Sequence, residues 1–251
     1  MPHVPLGAAP WVDRLASTPV RRSFVVLDGH LEPDGHAGHA PGSPGVLGTI
    51  VRGRRRRALD AYLLLLALWP WLEQQEQPLT GADWAVALSC GDGTERTPGA
   101  VSSAWHDLEL LGLVERRRIA HGVVVSPRRE DAGGAYARPA PGTDEAASCL
   151  WLPTSFWTDG WHRRLGLPAL AMLLAVGAAT AERPDAALTN HGTARQLGFS
   201  PRSVQTGLAE LERHGLVVES RGRTSSPRSA TASAPQHRYR LAPTFVPSRI
   251  R

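Results

Sequence analysis

The chain of 251 residues contains no lysine: all 28 of its basic residues are arginine. Asparagine occurs once, at Asn190. Lysine and asparagine both use A/T-rich codons, so a GC-rich genome accounts for the bias, and the preference for arginine says little about function. Cysteine is scarce as well. Cys90 and Cys149 stand far apart with no CxxC or Cys/His zinc spacing, which argues against a disulfide scaffold and a zinc finger. Long apolar runs are also missing. AYLLLLALWPWL (61–72) and LPALAMLLAV (167–176) fall short of the roughly 20 residues that span a bilayer. The opening MPHVPLGAAPWVDRL has neither a basic n-region nor a long apolar core, so it does not read as a signal peptide. A cytoplasmic protein with no membrane partner is expected.

Motifs of common enzyme chemistry are absent too. There is no GxxxxGK[ST], no GxGxxG after a strand, no HExxH and no GxSxG. The stretch DGHLEPDGHAGH (28–39) offers metal-ligand residue types. It reads as a Gly/Pro/His loop, whereas a metal site needs rigid geometry. Asp107 and Glu109 lie two apart on a helical stretch and do not face each other, so they form no carboxylate pair. No metal, no cofactor and no enzymatic activity are expected.

What is present is a globular composition, 42% hydrophobic and 20% charged, enough for cores in two domains of about 100 residues each. Charge is unevenly spread. Residues 1–180 hold 17 Arg and 18 acidic residues, while residues 181–251 hold 11 Arg and 5 acidic residues. The positive excess at the C-terminal end suggests a polyanion there, with nucleic acid first and an acidic membrane second. A solvated basic tail is the plain alternative.

The chain also repeats itself. TPGAVSSAWHDLELLGLV (97–114) aligns without a gap on SPRSVQTGLAELERHGLV (200–217). Each copy starts with a Thr or Ser suited to cap a helix, followed by Pro at the first helical position. Apolar residues then fall on one helical face: Val101, Trp105 and Leu108, and Val204, Leu208 and Leu211. Gly112 and Gly215 stop the helices, and Leu-Val begins a strand in each. Upstream, RALDAYLLLLALWPWL (57–72) and LPALAMLLAVGAATAE (167–182) read as buried helices. GADWAVALSC (81–90) and NHGTARQLGF (190–199) read as second helices, and SFVVLDG (23–29) and CLWLP (149–153) as short strands before each set. Downstream, VERRRIAHGVVV (114–125) reads as a hairpin. VVESRGR (217–223) and HRYRL (237–241) flank a longer loop.

Each unit thus reads helix, helix, helix, hairpin. This resembles the winged helix-turn-helix, and TARQLGFSPRSVQTGLAELERHGLV (193–217) resembles the GntR- and MarR-type regulators. The resemblance covers about 75 residues in each half. It implies a mainly α protein with small β-hairpins (α+β), built as two winged helix-turn-helix domains in tandem. The expected organisation is an N-terminal segment (1–50), a first winged-helix domain (51–129), a Gly/Ala/Pro-rich, partly flexible linker (130–148) and a second winged-helix domain with a long wing (149–246). In that architecture the third helix enters the major groove.

The candidate DNA contacts follow. Ser200, Arg202, Ser203, Gln205 and Thr206 lie off the core face of the third helix, with residue types suited to base edges. Arg195 on the second helix is placed for phosphate. The wing carries Arg221, Arg223 and Arg228. Arg238 and Arg240 alternate with Tyr239 and Leu241, so the two arginines should face outward. The first copy offers Ser102, Ser103 and His106 on its helix, Arg116, Arg117 and Arg118 on its hairpin, and Arg54, Arg55 and Arg56 before its first helix. Cations at a helix N-terminus are disfavoured by the macrodipole by roughly 0.3–1 kcal/mol each. Phosphate contact and a solvated basic turn both explain those three.

The expected function is double-stranded DNA binding, foremost in transcriptional regulation. A replication initiator or maintenance protein of a plasmid or integrative element is the alternative, since plasmid initiators resemble this tandem plan. A winged-helix interaction module without DNA binding is the third reading. A homodimer stays open, with the Trp-rich stretch around Trp151, Trp157 and Trp161 as its interface. Core packing or a ligand pocket are other uses for those indoles.

Overall fold

Thr97 and Ser200 open two helices by the same device. The Thr97 hydroxyl accepts from the Ala100 N–H at 3.2 Å, and Ser200 Oγ accepts from the Ser203 N–H at 3.0 Å. Such a cap satisfies one of the unpaired donors of a first turn and is worth about 1 kcal/mol. Both helices end ahead of a left-handed glycine, Gly112 at φ 71° and Gly215 at φ 67°. The Leu113 N–H then returns to the Leu108 carbonyl, and the Leu216 N–H to the Leu211 carbonyl, each at 2.9 Å. The sequence echo is therefore repeated bond for bond.

The computed structural model describes residues 12–26, 44–75, 78–89, 96–119, 122–131, 134–181, 184–222 and 236–245. The His-bearing loop and the centre of the long second hairpin loop fall outside them. The order begins β1 (Thr18–Arg21), α1 (Arg22–Val25), α2 (Val46–Arg52), α3 (Arg56–Leu72), α4 (Gly81–Ser89), α5 (Pro98–Leu110), β2 (Val114–Ile119) and β3 (Gly122–Pro127). It continues α6 (Asp144–Ala147), β4 (Cys149–Leu152), α7 (Ser155–Thr158), α8 (Trp161–Arg164), α9 (Leu167–Thr180), β5 (Ala186–Ala187), α10 (Asn190–Leu197), α11 (Pro201–Arg213), β6 (Val217–Gly222) and β7 (Gln236–Leu241). Mainly helical with small antiparallel sheets, the chain is of the α+β class.

In the first half, α3, α4 and α5 lead into the β2–β3 hairpin, with Val114 opposite Pro127. In the second half, α9, α10 and α11 lead into β6–β7, with Val217 opposite Leu241. There a third strand, β5, joins the sheet in the order β5-β7-β6. The two halves share one continuous apolar core, running from Leu59, Leu63 and Leu66 on α3 to Leu170, Leu173 and Leu174 on α9. In α3 every residue from Ala58 to Leu68 except Asp60 is buried. A helix apolar all round belongs at the centre of a molecule rather than on its face.

One sequence expectation is corrected. The stretch expected as the first strand, 23–29, is not a strand where it is described: Ser23–Val25 lie in α1, residues 27–29 fall outside the described residues, and the strand is β1, just upstream. The reason is tertiary. β1 pairs antiparallel with β4, Thr18 opposite Leu152 and Arg21 opposite Cys149, so strand partnership overrides local propensity. The N-terminal segment leads into α2, which runs across the boundary expected at residue 50. Helix α2 is buried at Leu47, Gly48, Ile50 and Val51, and it packs on both α3 and α9.

Within residues 130–148, Glu130, Tyr136, Pro139 and Ala146 are buried, while residues 140–145 are exposed. Glu130 is fully buried and meets Arg21 from β1. Arg21 Nη1 donates to Glu130 at 2.6 Å, Nε donates to Glu145 at 2.8 Å, and Nη2 donates to the Ala137 carbonyl at 2.5 Å. Burial opposes the Arg21 charge, but Glu130 and Glu145 outweigh it and raise the guanidinium pKa. Burial pushes the nearby Cys149 thiol up to about 12, so it sits here as a neutral packing group. The Tyr62 hydroxyl donates to the Arg128 carbonyl at 2.9 Å, tying the core helix α3 to the chain after β3.

Candidate nucleic-acid interface

Helix α11 is held from three sides, and that fixes which of its residues remain outside. Val204, Gly207, Leu208 and Leu211 are buried. Gly207 lets α11 approach α9 closely: a Cβ there would stand 2.4 Å from the Pro168 carbonyl oxygen. At the other edge, Glu210 accepts the Gly166 N–H at 2.7 Å, at the residue that caps α9. The outward face is then Arg202, Gln205, Thr206, Ala209, Glu212 and Arg213, all exposed.

The turn before α11 is braced as well. Gly198 is left-handed at φ 68°. Its carbonyl accepts from Arg52 Nη1 at 3.1 Å. Gly48 on α2 faces the Leu197 carbonyl so closely that a Cβ would lie 2.3 Å from that oxygen. Sequence reasoning missed α2 as a brace. The signal was the apolar spacing of Leu47, Ile50 and Val51 ahead of the arginine run.

The structure divides the expected contacts of the second copy. Arg202, Gln205 and Thr206 lie together, exposed, on the first two turns of α11, and Arg195 is exposed on α10. Ser200 and Ser203 are used by the cap, with their hydroxyls 2.8 Å apart. Arg240 is exposed and Tyr239 is buried, which is the expected alternation. Arg238 is half-buried and donates to Asp185 at 2.6 Å, fastening the approach to β5 onto β7. That bond holds the Asp185 carboxyl below its ordinary range. Arg238 is thus a structural group first. Arg221 lies on β6 opposite His237. Arg223 and Arg228 lie outside the described residues.

The junction of helix and hairpin differs between the copies. In the first, Arg116 folds back onto Glu109 through Nε at 2.9 Å and Nη2, and lies 3.5 Å from His106 Nδ1. The bond lowers the Glu109 pKa. In the second, the corresponding positions hold Glu212 and Glu219, two carboxylates. Partial burial, then Glu219, raises the Glu212 pKa, and His237 contacts Glu219 instead.

The rest of the first copy's set is likewise divided. Ser102, Ser103, His106, Arg117 and Arg118 are exposed, and Ser103 Oγ donates to the Gly99 carbonyl at 3.1 Å. Arg54 is exposed with a left-handed φ of 52°. Arg55 approaches Asp107 at 3.6 Å. Arg56 turns inward: Nε donates to Asp60 at 2.8 Å, and its terminal nitrogens donate to the carbonyls of His162 and Leu165. For Arg56 neither phosphate contact nor a solvated turn describes the geometry; it clamps the two halves together.

Among the described residues no three His, Cys, Asp or Glu side chains cluster as a metal site, and no helix is long and apolar enough to cross a membrane. No protein-family model and no curated protein matches the chain. A solved structure described as a conserved hypothetical protein from Chlorobium tepidum is 20% identical and aligns over 78% of this chain and 96% of its own. Its TM-score is 0.22, too low to carry fold or function across.

Proposed function

We propose that this protein binds double-stranded DNA as a tandem winged helix-turn-helix protein and acts in transcriptional regulation. The observation that carries the reading is the outward face of α11. Arg202, Gln205 and Thr206 stand exposed on its first two turns, while the opposite face is locked to α9 and the preceding turn is braced by Arg52. A rigid helix presenting such side chains at its N-terminal end suits a major groove, where Arg pairs with guanine and Gln with adenine. Arg240 on the adjacent hairpin and Arg195 on α10 suit flanking phosphates. The strand order β5-β7-β6 beside α11 agrees with a wing.

The first copy plays a lesser part in this reading. Its helix offers Ser102, Ser103 and His106 but no arginine, and Arg116 is turned onto Glu109. Arg117 and Arg118 contribute charge from β2.

Selection of bound duplexes from a random pool tests the proposal. A recovered motif, with affinity that falls steeply with salt, supports it. Recovery of no motif together with salt-independent binding overturns it in favour of a protein-interaction module. A motif repeated at a plasmid origin, with none near promoters, replaces the regulatory role with replication.

A further inference from the structure

Helices α2, α5, α10 and α11 each close on a left-handed residue, and α2 uses a side chain ill suited to that position. After α5, α10 and α11 the position is held by Gly112, Gly198 and Gly215. After α2 it is held by Arg54, at φ 52°, the one non-glycine residue of positive φ among the described residues. The closing hydrogen bonds are in place all the same. The Arg54 N–H donates to the Val51 carbonyl and the Arg55 N–H to the Ile50 carbonyl, each at 3.0 Å. A Cβ in this conformation crowds the following carbonyl, so the arginine is carried at a cost to stability.

The neighbouring arginines are engaged within the fold. Arg52 donates to the Gly198 carbonyl and the Thr49 hydroxyl, Arg55 approaches Asp107, and Arg56 is bonded to Asp60. Arg54 is exposed and makes no hydrogen bond or ion pair through its side chain with any described residue. Strained residues that folding does not require are found at functional sites. The place of Arg54 in the fold supplies the function. The Arg52 bond to Gly198, at 3.1 Å, sets the turn after α2 against the turn that leads into α11. Arg54 lies two residues beyond Arg52, and Arg202 lies four beyond Gly198. An exposed cation at that edge extends, from the first half, the surface that Arg202, Gln205 and Thr206 present. It suits a backbone phosphate beside the bases that α11 would read.

We infer that Arg54 is a phosphate clamp for the DNA site on α11, held there by Arg52, which acts as a positioning residue. The basic turn ahead of α3 thus serves the third helix of the second unit rather than that of the unit it opens. The second unit's DNA surface is then completed by a residue from the first half. This inference rests on the DNA reading proposed above.

The test uses the full chain and the duplex motif that the parent selects, with Arg54→Gly, Arg54→Gln and Arg202→Ala compared. Both Arg54 variants should bind about tenfold more weakly at 0.1 M salt, with a salt slope lower by about one and a difference that fades toward about 1 M. Arg54→Gly should nonetheless melt roughly 1–4 °C higher, because glycine relieves the left-handed backbone. Arg54→Gln keeps that backbone cost and reads the charge alone. Phosphate ethylation interference should lose one position in Arg54→Gly. That phosphate should lie within roughly 10 Å along the strand, about three base pairs, of the base pair whose preference Arg202→Ala relaxes. An unchanged slope in either Arg54 variant, a lower melting temperature in Arg54→Gly, or a lost phosphate a helical turn or more away overturns the clamp while the effect of Arg202→Ala keeps the DNA reading. If the parent selects no motif, the DNA reading fails and the clamp fails with it.

Discussion

Arg21 and Glu130 bond twice across 109 residues of chain: the backbone N–H of Arg21 donates to one carboxylate oxygen at 3.2 Å, and its guanidinium donates to the other at 2.6 Å. Both side chains are shut away from water, at 6% and 0% exposure. Breaking such a pair strands a buried charge, which costs about 3–5 kcal/mol. Glu130→Ala should lose stability of that order in urea unfolding. A loss below about 1 kcal/mol would mean that water reaches Arg21.

Gly207 is predicted to reject even a methyl group. A Cβ there meets the Pro168 carbonyl oxygen at 2.4 Å and Met172 Cγ at 2.7 Å. The backbone oxygen cannot step aside as a flexible side chain would. Gly207→Ala should destabilise by about 1–3 kcal/mol, despite the better helix propensity of alanine. Differential scanning calorimetry would read this directly, and an unchanged melting temperature contradicts the close packing.

The proposed DNA contacts separate by kind. Arg202→Ala or Gln205→Ala should cost about 1–3 kcal/mol on the preferred duplex and relax base preference. Arg240→Ala should weaken binding to all duplexes alike and lower the salt slope by about one. Arg238→Ala should act mainly on stability, because that side chain is bonded to Asp185. Filter-binding titrations at several salt concentrations distinguish the three. Unchanged binding in the first three variants rejects the interface.

Asp185 sets a pH dependence. Its bond to Arg238 lowers the folded-state pKa, so its contribution is present above the ordinary carboxylate range and is lost as pH falls through the folded value. Asp185→Asn should therefore be less stable than the parent at pH 7. Both groups are partly exposed, so the gap should stay below about 1 kcal/mol. It should close on acidification below about pH 4.

Glu212 has the opposite sign. Its folded-state pKa is raised by partial burial and by Glu219, so its charge costs stability above the ordinary carboxylate range. Glu212→Gln should stabilise the protein by a few tenths of a kcal/mol at pH 7. The gain should vanish on acidification below about pH 4, where the carboxyl is protonated in both states. A gain that persists at low pH would trace to something other than charge.

Much of this was legible in the sequence because it is local. The caps at Thr97 and Ser200, the stop glycines and the apolar faces of α5 and α11 are written in neighbouring residues, and the helices fall where that spacing places them. The exposure of Arg202, Gln205 and Thr206 follows from the same periodicity. The corrected parts depend on partners distant in sequence. Nothing in Thr18–Arg21 reveals that β4 will pair with it, so the apolar run beside it looked the better strand. Arg56 appeared as one of a basic run, because the carbonyls of His162 and Leu165 that hold it lie in the other half.

The pairing of β1 with β4 also bears on how the protein is made. A ribosome adds about 5–20 residues per second. Arg21 therefore emerges many seconds before Glu130, the residue that neutralises it, and β1 waits longer still for Cys149–Leu152. Until then the nascent first half carries an unmatched strand edge and an uncompensated cation at a surface meant to be interior. A gene fragment ending before residue 149 would leave its product in that unfinished state.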